Sequence, residues 1–132
     1  MRVISGSARG TRLLDLGDTE IRPTLDRVKE SLFNQVGSDL EGISFLHLFA
    51  GTGSIGIEAL SRGAEQVVFV EQNSQVQSLI IRNLEKCRLT VENQTVRWEL
   101  IKSDSLESLS LFREKDMVFD LIYVDPPFAK NL

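Results

Sequence analysis

The chain has 132 residues, 42% apolar and 26% charged, with 15 basic and 19 acidic side chains and a net charge of −4. That length suits one domain with a real core, and the composition excludes disordered, collagen-like and low-complexity classes. No apolar run approaches the ~20 residues of a membrane helix, the N-terminus has no apolar leader, and a lone cysteine (Cys87) and a lone histidine (His47) cannot build a zinc site. The expectation is a cytoplasmic, metal-free protein with no membrane partner.

Residues 2–5 and 11–16, separated by Gly6 and Gly10, predict a small hairpin. The first 12 residues hold three arginines (Arg2, Arg9, Arg12) and no acid, so this edge could meet phosphate locally or be a solvated, flexible terminus. After Pro23, the residues Leu25, Val28, Leu32, Phe33 and Val36 share one face of a helix, with Thr24 as N-cap and Gly37 as stop. Residues 1–40 thus form a hairpin-plus-helix extension packed on the domain formed by 41–132.

From residue 43 the rhythm changes to strand and helix in alternation. Residues 43–49 predict a buried strand ending at a glycine turn, 54–62 a short helix closed by Gly63, and 66–70 a second strand ending at Glu71. Asn73 caps a helix whose apolar face is Val76, Leu79, Ile80, Asn83, Leu84 and Cys87, which makes the thiol a core residue rather than a reactive one. Residues 95–101 form a third strand, Ser105 caps a helix to Phe112, and 119–124 form a fourth strand. Such alternation predicts an α/β fold: a parallel sheet with helices on both faces and ligands beyond the carboxyl ends of its strands.

Two features lie at those ends. The stretch FAGTGSIG, residues 49–56, holds a G-x-G-x-x-G, and Glu71 follows Gly51 by 20 residues, at the end of the next strand. Glycines admit a ligand close to the backbone, and a carboxylate there can accept both hydroxyl protons of a ribose. This pattern fits a dinucleotide with its pyrophosphate on the helix N-terminus, and equally S-adenosylmethionine. Asp104 can accept from an adenine amine or simply start a helix. The second feature is Asp125, Pro126, Pro127 and Phe128 after the fourth strand. Methylating an exocyclic base amine requires its conjugated lone pair to localise, which acceptors on both N–H protons favour. The Asp125 carboxylate and the Pro126 carbonyl, aimed by rigid prolines, can supply them while Phe128 stacks on the base. A nicotinamide oxidoreductase would leave this corner without a role, and a DNA or other amino-methyltransferase could share it.

With these motifs the whole chain resembles the bacterial 16S ribosomal RNA guanine-N2 methyltransferases, the RsmD-like family. The resemblance rests on Arg2-Val3-Ile4-Ser5-Gly6, Arg9-Gly10, Arg22-Pro23-Thr24, Asp26-Arg27-Val28, the FAGTG turn, the GIEALSRGA run of residues 56–64, and the Asp-Pro-Pro-Phe corner. It implies a Rossmann-like class I methyltransferase fold, S-adenosylmethionine as donor, and 16S ribosomal RNA or the small subunit as partner. It also implies that Gly51 and Gly53 hold the methionine part, Glu71 the ribose and Asp104 the adenine edge. Phe49, Ala50, Gln72, Ser105 and Asp125 complete the cofactor set. Asp125, Pro126, Pro127 and Phe128 take the base, while Arg2, Arg9, Arg12, Arg22, Thr24 and Arg27 face RNA. The family has aspartate where this chain has His47, so His47→Asp is expected to tighten cofactor binding. The family also continues past the corner. The expectations are that later strands are missing, that strand four is an edge open to self-association, and that methyl transfer by these 132 residues is weak or absent.

Overall fold

The structure, a computed structural model, describes residues 1–15, 22–90 and 97–124, the side chains of 22–25 excepted. In chain order the elements are α1 (Arg22–Val36), β1 (Ser44–Leu48), α2 (Ser54–Ser61), β2 (Gln66–Val70), α3 (Ser74–Lys86), β3 (Trp98–Ile101), α4 (Ser105–Glu114) and β4 (Leu121–Val124). The four strands form one parallel sheet in the order β3-β2-β1-β4. The chain first winds outward from β1 to β3 and then returns to the other side of β1. The reversal falls between β1 and β4, the place where open α/β sheets bind ligands.

Alternation along the strands sorts the core into two layers. Phe45, Val67 and Phe69 point to one face and pack with Ile57 and Leu60 of α2, Ile80 and Leu84 of α3, and Phe33 of α1. Leu46, Leu48, Val68 and Val70 point to the other face, where Phe112 of α4 covers them. Helices therefore lie on both faces, as the alternation predicts. The register is closed at the base by Asp120, whose carboxylate accepts from the Ser44 amide at 2.8 Å. Among the described residues no helix is long and apolar enough to cross a membrane.

The hairpin is present in reduced form: one antiparallel bridge, Arg2 to Arg12, flanked by Val3–Thr11 and Leu13–Met1 backbone bonds of 2.9 Å. Its backbone is not a flexible terminus. Glu58 of α2, fully buried, accepts from the Ile4 and Ser5 amides at 2.8 and 3.0 Å, and the Ser61 hydroxyl accepts from Ala8 at 2.9 Å. Gly6, with φ of 91°, lies so close to α2 that a Cβ would sit 1.8 Å from the Ser61 carbonyl oxygen.

Two expectations need correction. Helix α1 begins at Arg22, which puts Thr24 inside the first turn and not at the N-cap. The buried face of α1 is also shifted: Phe33 is buried and Leu32 partly so, as expected, but Val28 and Val36 are exposed and Lys29 is buried. Lysine can replace valine there because its ammonium finds acceptors inside. It donates to the Arg2 carbonyl oxygen and, at 3.0 Å, to the Ser54 hydroxyl, and lies 3.5 Å from Glu58. Burial lowers the Lys29 pKa, opposed chiefly by Glu58. The second carboxylate oxygen of Glu58 accepts from Arg62 Nε at 2.8 Å, and that guanidinium lies 4.7 Å over the Phe33 ring.

Candidate functional site

The site is built where β1 stops. Leu48 ends the strand beside Val70 and Val124, so β1, β2 and β4 finish level with one another. Phe49 then takes φ of 53°, a left-handed value that is costly for a residue with a Cβ. The Phe49 amide donates to the buried Ser105 hydroxyl at 2.9 Å, and its ring packs in the second core layer. Ala50 is tied to the Val70 carbonyl oxygen at 3.0 Å. Gly51 and Gly53 follow with φ of 56° and 79°.

The three glycines of the turn have separate duties. A Cβ on Gly51 would meet nothing nearer than the Phe49 carbonyl oxygen at 4.0 Å, so the space in front of this residue is open to a ligand. Gly53 caps α2 in the left-handed conformation, with Ile80 3.2 Å from where a Cβ would be. At Gly56 a Cβ would lie 2.3 Å from the Phe69 ring, so its absence lets α2 settle onto the sheet. These duties match a nucleotide-binding turn: room for ligand, tight bend, close helix packing.

Glu71 closes the cradle. Its Oε1 accepts from the Gly51 amide at 3.1 Å and its Oε2 from the Asn73 amide at 3.1 Å. Each oxygen keeps a lone pair for a hydroxyl, and the side chain is partly exposed. Gln72 beside it is exposed. The residues thus fit a ribose-bearing cofactor: an open glycine face, and a carboxylate fixed by two amides at its rim.

Asp104 and Ser105 divide their work differently from the sequence expectation. Asp104, not Ser105, is the N-cap of α4, accepting from the Leu106 and Glu107 amides at 2.9 and 3.2 Å. Both bonds use Oδ1, leaving Oδ2 for an outside donor. Ser105 is buried, and its hydroxyl serves Phe49.

His47 lies one strand position behind the turn, buried, with its Nδ1 accepting from the Gly56 amide at 3.3 Å. Its ring packs against Phe69 and, edge-on, against Tyr123. Burial drives its pKa down to about 3, so the imidazole is neutral. It does the work of an acceptor without supplying a charge.

Of the residues expected to face RNA, Arg2, Arg9, Arg12 and Arg27 are exposed. Arg2 and Arg9 border a cleft of about 270 Å³ that Glu30 also lines. The Arg22 and Thr24 side chains lie outside the described residues. So do Asp125, Pro126, Pro127 and Phe128, which follow directly on Val124. Sequence reasoning missed Lys29, Glu58 and Ser61, and it placed Asn83 on the inner face of its helix without a role. The signal for them was polar residues at otherwise apolar helical positions. Among the described residues no group of three His, Cys, Asp or Glu side chains could hold a metal ion.

Comparison with known proteins identifies the family and the fold. The family model described as "Conserved hypothetical protein 95" matches residues 1–132. Ribosomal RNA small subunit methyltransferase D of Haemophilus influenzae is 39% identical over 132 residues, covering 100% of this chain and 66% of that protein. The Escherichia coli K12 protein of the same name is 34% identical, again over 100% of this chain and 62% of the relative. This chain thus spans about two thirds of the length of these relatives. The solved structure of a Thermus thermophilus hypothetical protein, TTHA0928, superposes with a TM-score of 0.84 at 26% identity, covering 100% of this chain and 72% of that one. An S-adenosylmethionine-dependent methyltransferase from Agrobacterium tumefaciens shares the fold, with a TM-score of 0.69 over 89% of this chain and 36% of that one, at 23% identity. The parallel sheet, the glycine turn with its acid and a family match over the full sequence place this chain in the conserved hypothetical protein 95 family, the RsmD-like family, with a Rossmann-like methyltransferase fold.

Proposed function

We propose that this chain carries the S-adenosylmethionine-binding part of an enzyme that methylates the exocyclic N2 amine of a guanine in 16S ribosomal RNA. The observation that supports it best is the cradle in which Glu71 accepts from the Gly51 amide at 3.1 Å, at the rim that β4 also reaches. The names of the Haemophilus and Escherichia relatives support a small-subunit ribosomal RNA substrate.

In this proposal Glu71 takes the ribose hydroxyls, the free Oδ2 of Asp104 takes the adenine amine, and the Gly51 face admits the methionine part. S-adenosylmethionine, when bound, supplies an electrophilic methyl group. Asp125 and the Pro126 carbonyl accept hydrogen bonds from the two N–H groups of the target amine, which helps its nitrogen become tetrahedral, and one of the two protons is released to solvent once the nitrogen carries the methyl. Phe128 stacks on the guanine, Pro127 stiffens the corner, and Arg2, Arg9, Arg12 and Arg27 meet phosphates.

Thermal unfolding with S-adenosylhomocysteine and with NAD tests the cofactor. At 100 times its dissociation constant a ligand stabilises by about 2.7 kcal/mol. S-adenosylhomocysteine should raise the midpoint and NAD should not; the reverse would contradict the proposal. Labelled methyl transfer to small subunits, with nucleoside analysis, tests the acceptor. The product should be N2-methylguanosine, and label on adenine or on DNA would refute the assignment.

A further inference from the structure

Two buried polar side chains grip the glycine turn on either side of Gly53. The Asn83 amide nitrogen of α3 donates to the Thr52 carbonyl oxygen at 3.2 Å. The Lys29 ammonium of α1 donates to the Ser54 hydroxyl at 3.0 Å. Each of these side chains also holds one arm of the N-terminal hairpin. Asn83 accepts from the Leu14 amide at 2.7 Å and donates to the Leu14 carbonyl oxygen at 3.0 Å. Lys29 donates to the Arg2 carbonyl oxygen. Neither side chain is open to solvent: Asn83 is 0% and Lys29 1% exposed.

Packing alone does not call for these residues. A buried ammonium carries a desolvation cost, and apolar residues of the same shape often serve a core equally well. What an apolar side chain cannot do is fix two backbone segments in one geometry through directed bonds. Here the donors are divided between the hairpin and the turn, and Glu58 balances the charge while tying the Ile4 and Ser5 amides to α2. The turn benefits from outside support, because Phe49 holds a costly left-handed φ of 53° and the glycines beside it have no side chains to anchor the backbone.

We propose that Lys29 and Asn83 are positioning residues that lock the glycine turn to the N-terminal hairpin, making the hairpin part of the cofactor site without touching the ligand. This rests on the cofactor reading of the turn given above. A consequence is reciprocal coupling: ordering the hairpin, as by a polyanion on Arg2, Arg9 and Arg12, favours the binding form of the turn.

The test compares wild type with Asn83→Asp and Ser54→Ala. Asn83→Asp keeps the size and the acceptor for Leu14 but loses both donors. Ser54→Ala is the milder variant, removing only the Lys29 bond at the turn. Leu89→Ala, a core truncation away from the turn, serves as the control for lost stability. Amide hydrogen exchange of residues 49–56 and the calorimetric dissociation constant of S-adenosylhomocysteine are read well below every unfolding midpoint. Exchange in 49–56 should speed up at least fivefold in Asn83→Asp, and measurably in Ser54→Ala, but not in Leu89→Ala. The dissociation constant should rise about tenfold in Asn83→Asp only. Unchanged exchange in both turn variants, or equal effects in Leu89→Ala, would overturn the proposal. If wild type does not bind S-adenosylhomocysteine, the cofactor reading falls and the exchange data alone decide whether the lock exists.

Discussion

Glu71 and His47 show how one strand end divides charge from structure. The Glu71 carboxylate is fixed by the Gly51 and Asn73 amides and turns its remaining lone pairs outward. A charge-assisted hydrogen bond contributes roughly 1.5–3 kcal/mol, so Glu71→Ala should weaken S-adenosylhomocysteine binding at least tenfold in a calorimetric titration. Unchanged affinity would remove the ribose role. His47 is silent by comparison: with a folded pKa of about 3 it is neutral, whereas the unfolded residue titrates near 6.5. Between those values the unfolded chain binds more protons. The stability His47 contributes is therefore complete above pH about 6.5 and is lost as the pH falls toward 3, at up to roughly 1.4 kcal/mol per pH unit. Asparagine can take the Gly56 amide without titrating. Urea midpoints at pH 7 and pH 5 should thus differ less in His47→Asn than in wild type, and equal acid loss in both would contradict this. His47→Asp should bind S-adenosylhomocysteine more tightly but melt lower, because a carboxylate between Phe69 and Tyr123 is poorly solvated. Equal or weaker affinity would count against the charge argument.

At the scale of elements, periodicity was legible where apolar residues make most of the buried face. Helix α3 buries Val76, Leu79, Ile80, Asn83 and Leu84 behind an Asn73 cap, as its pattern predicts. Helix α1 defeats the same rule, since its inner face includes an ammonium that only tertiary acceptors make tolerable. The start of α4 misled for a related reason. Asp104 and Ser105 are both good caps, and nothing local says that Phe49 claims the Ser105 hydroxyl. The glycine turn was legible because backbone conformation demands glycine, whereas the Glu58 network depends on residues more than 50 positions away. The seat of α2 on the sheet gives a direct test. Gly56→Ala puts a Cβ 2.3 Å from the Phe69 ring and should cost about 1–3 kcal/mol in urea unfolding. Phe69→Leu in the same chain should restore part of it; no loss in Gly56→Ala would mean that α2 sits farther from β2.

Across the whole molecule, the sheet order puts the topological switch between β1 and β4, and the candidate site lies at that crevice. β4 is the outermost strand on its side among the described residues, with Ile122 56% and Val124 52% exposed. Such an apolar edge favours pairing between copies. We propose that the chain self-associates through it, and light scattering across a concentration series should show mass rising in wild type but not in Ile122→Lys. A constant monomer mass in wild type would exclude it. The deeper claim is that the glycine turn and the Asp125 corner share one rim. A crystal structure with S-adenosylhomocysteine tests this most directly. The ribose should hydrogen-bond to Glu71, with the sulfur facing Asp125 across a common cleft. A ligand bound elsewhere, or an Asp125 corner turned away from Gly51, would contradict the account.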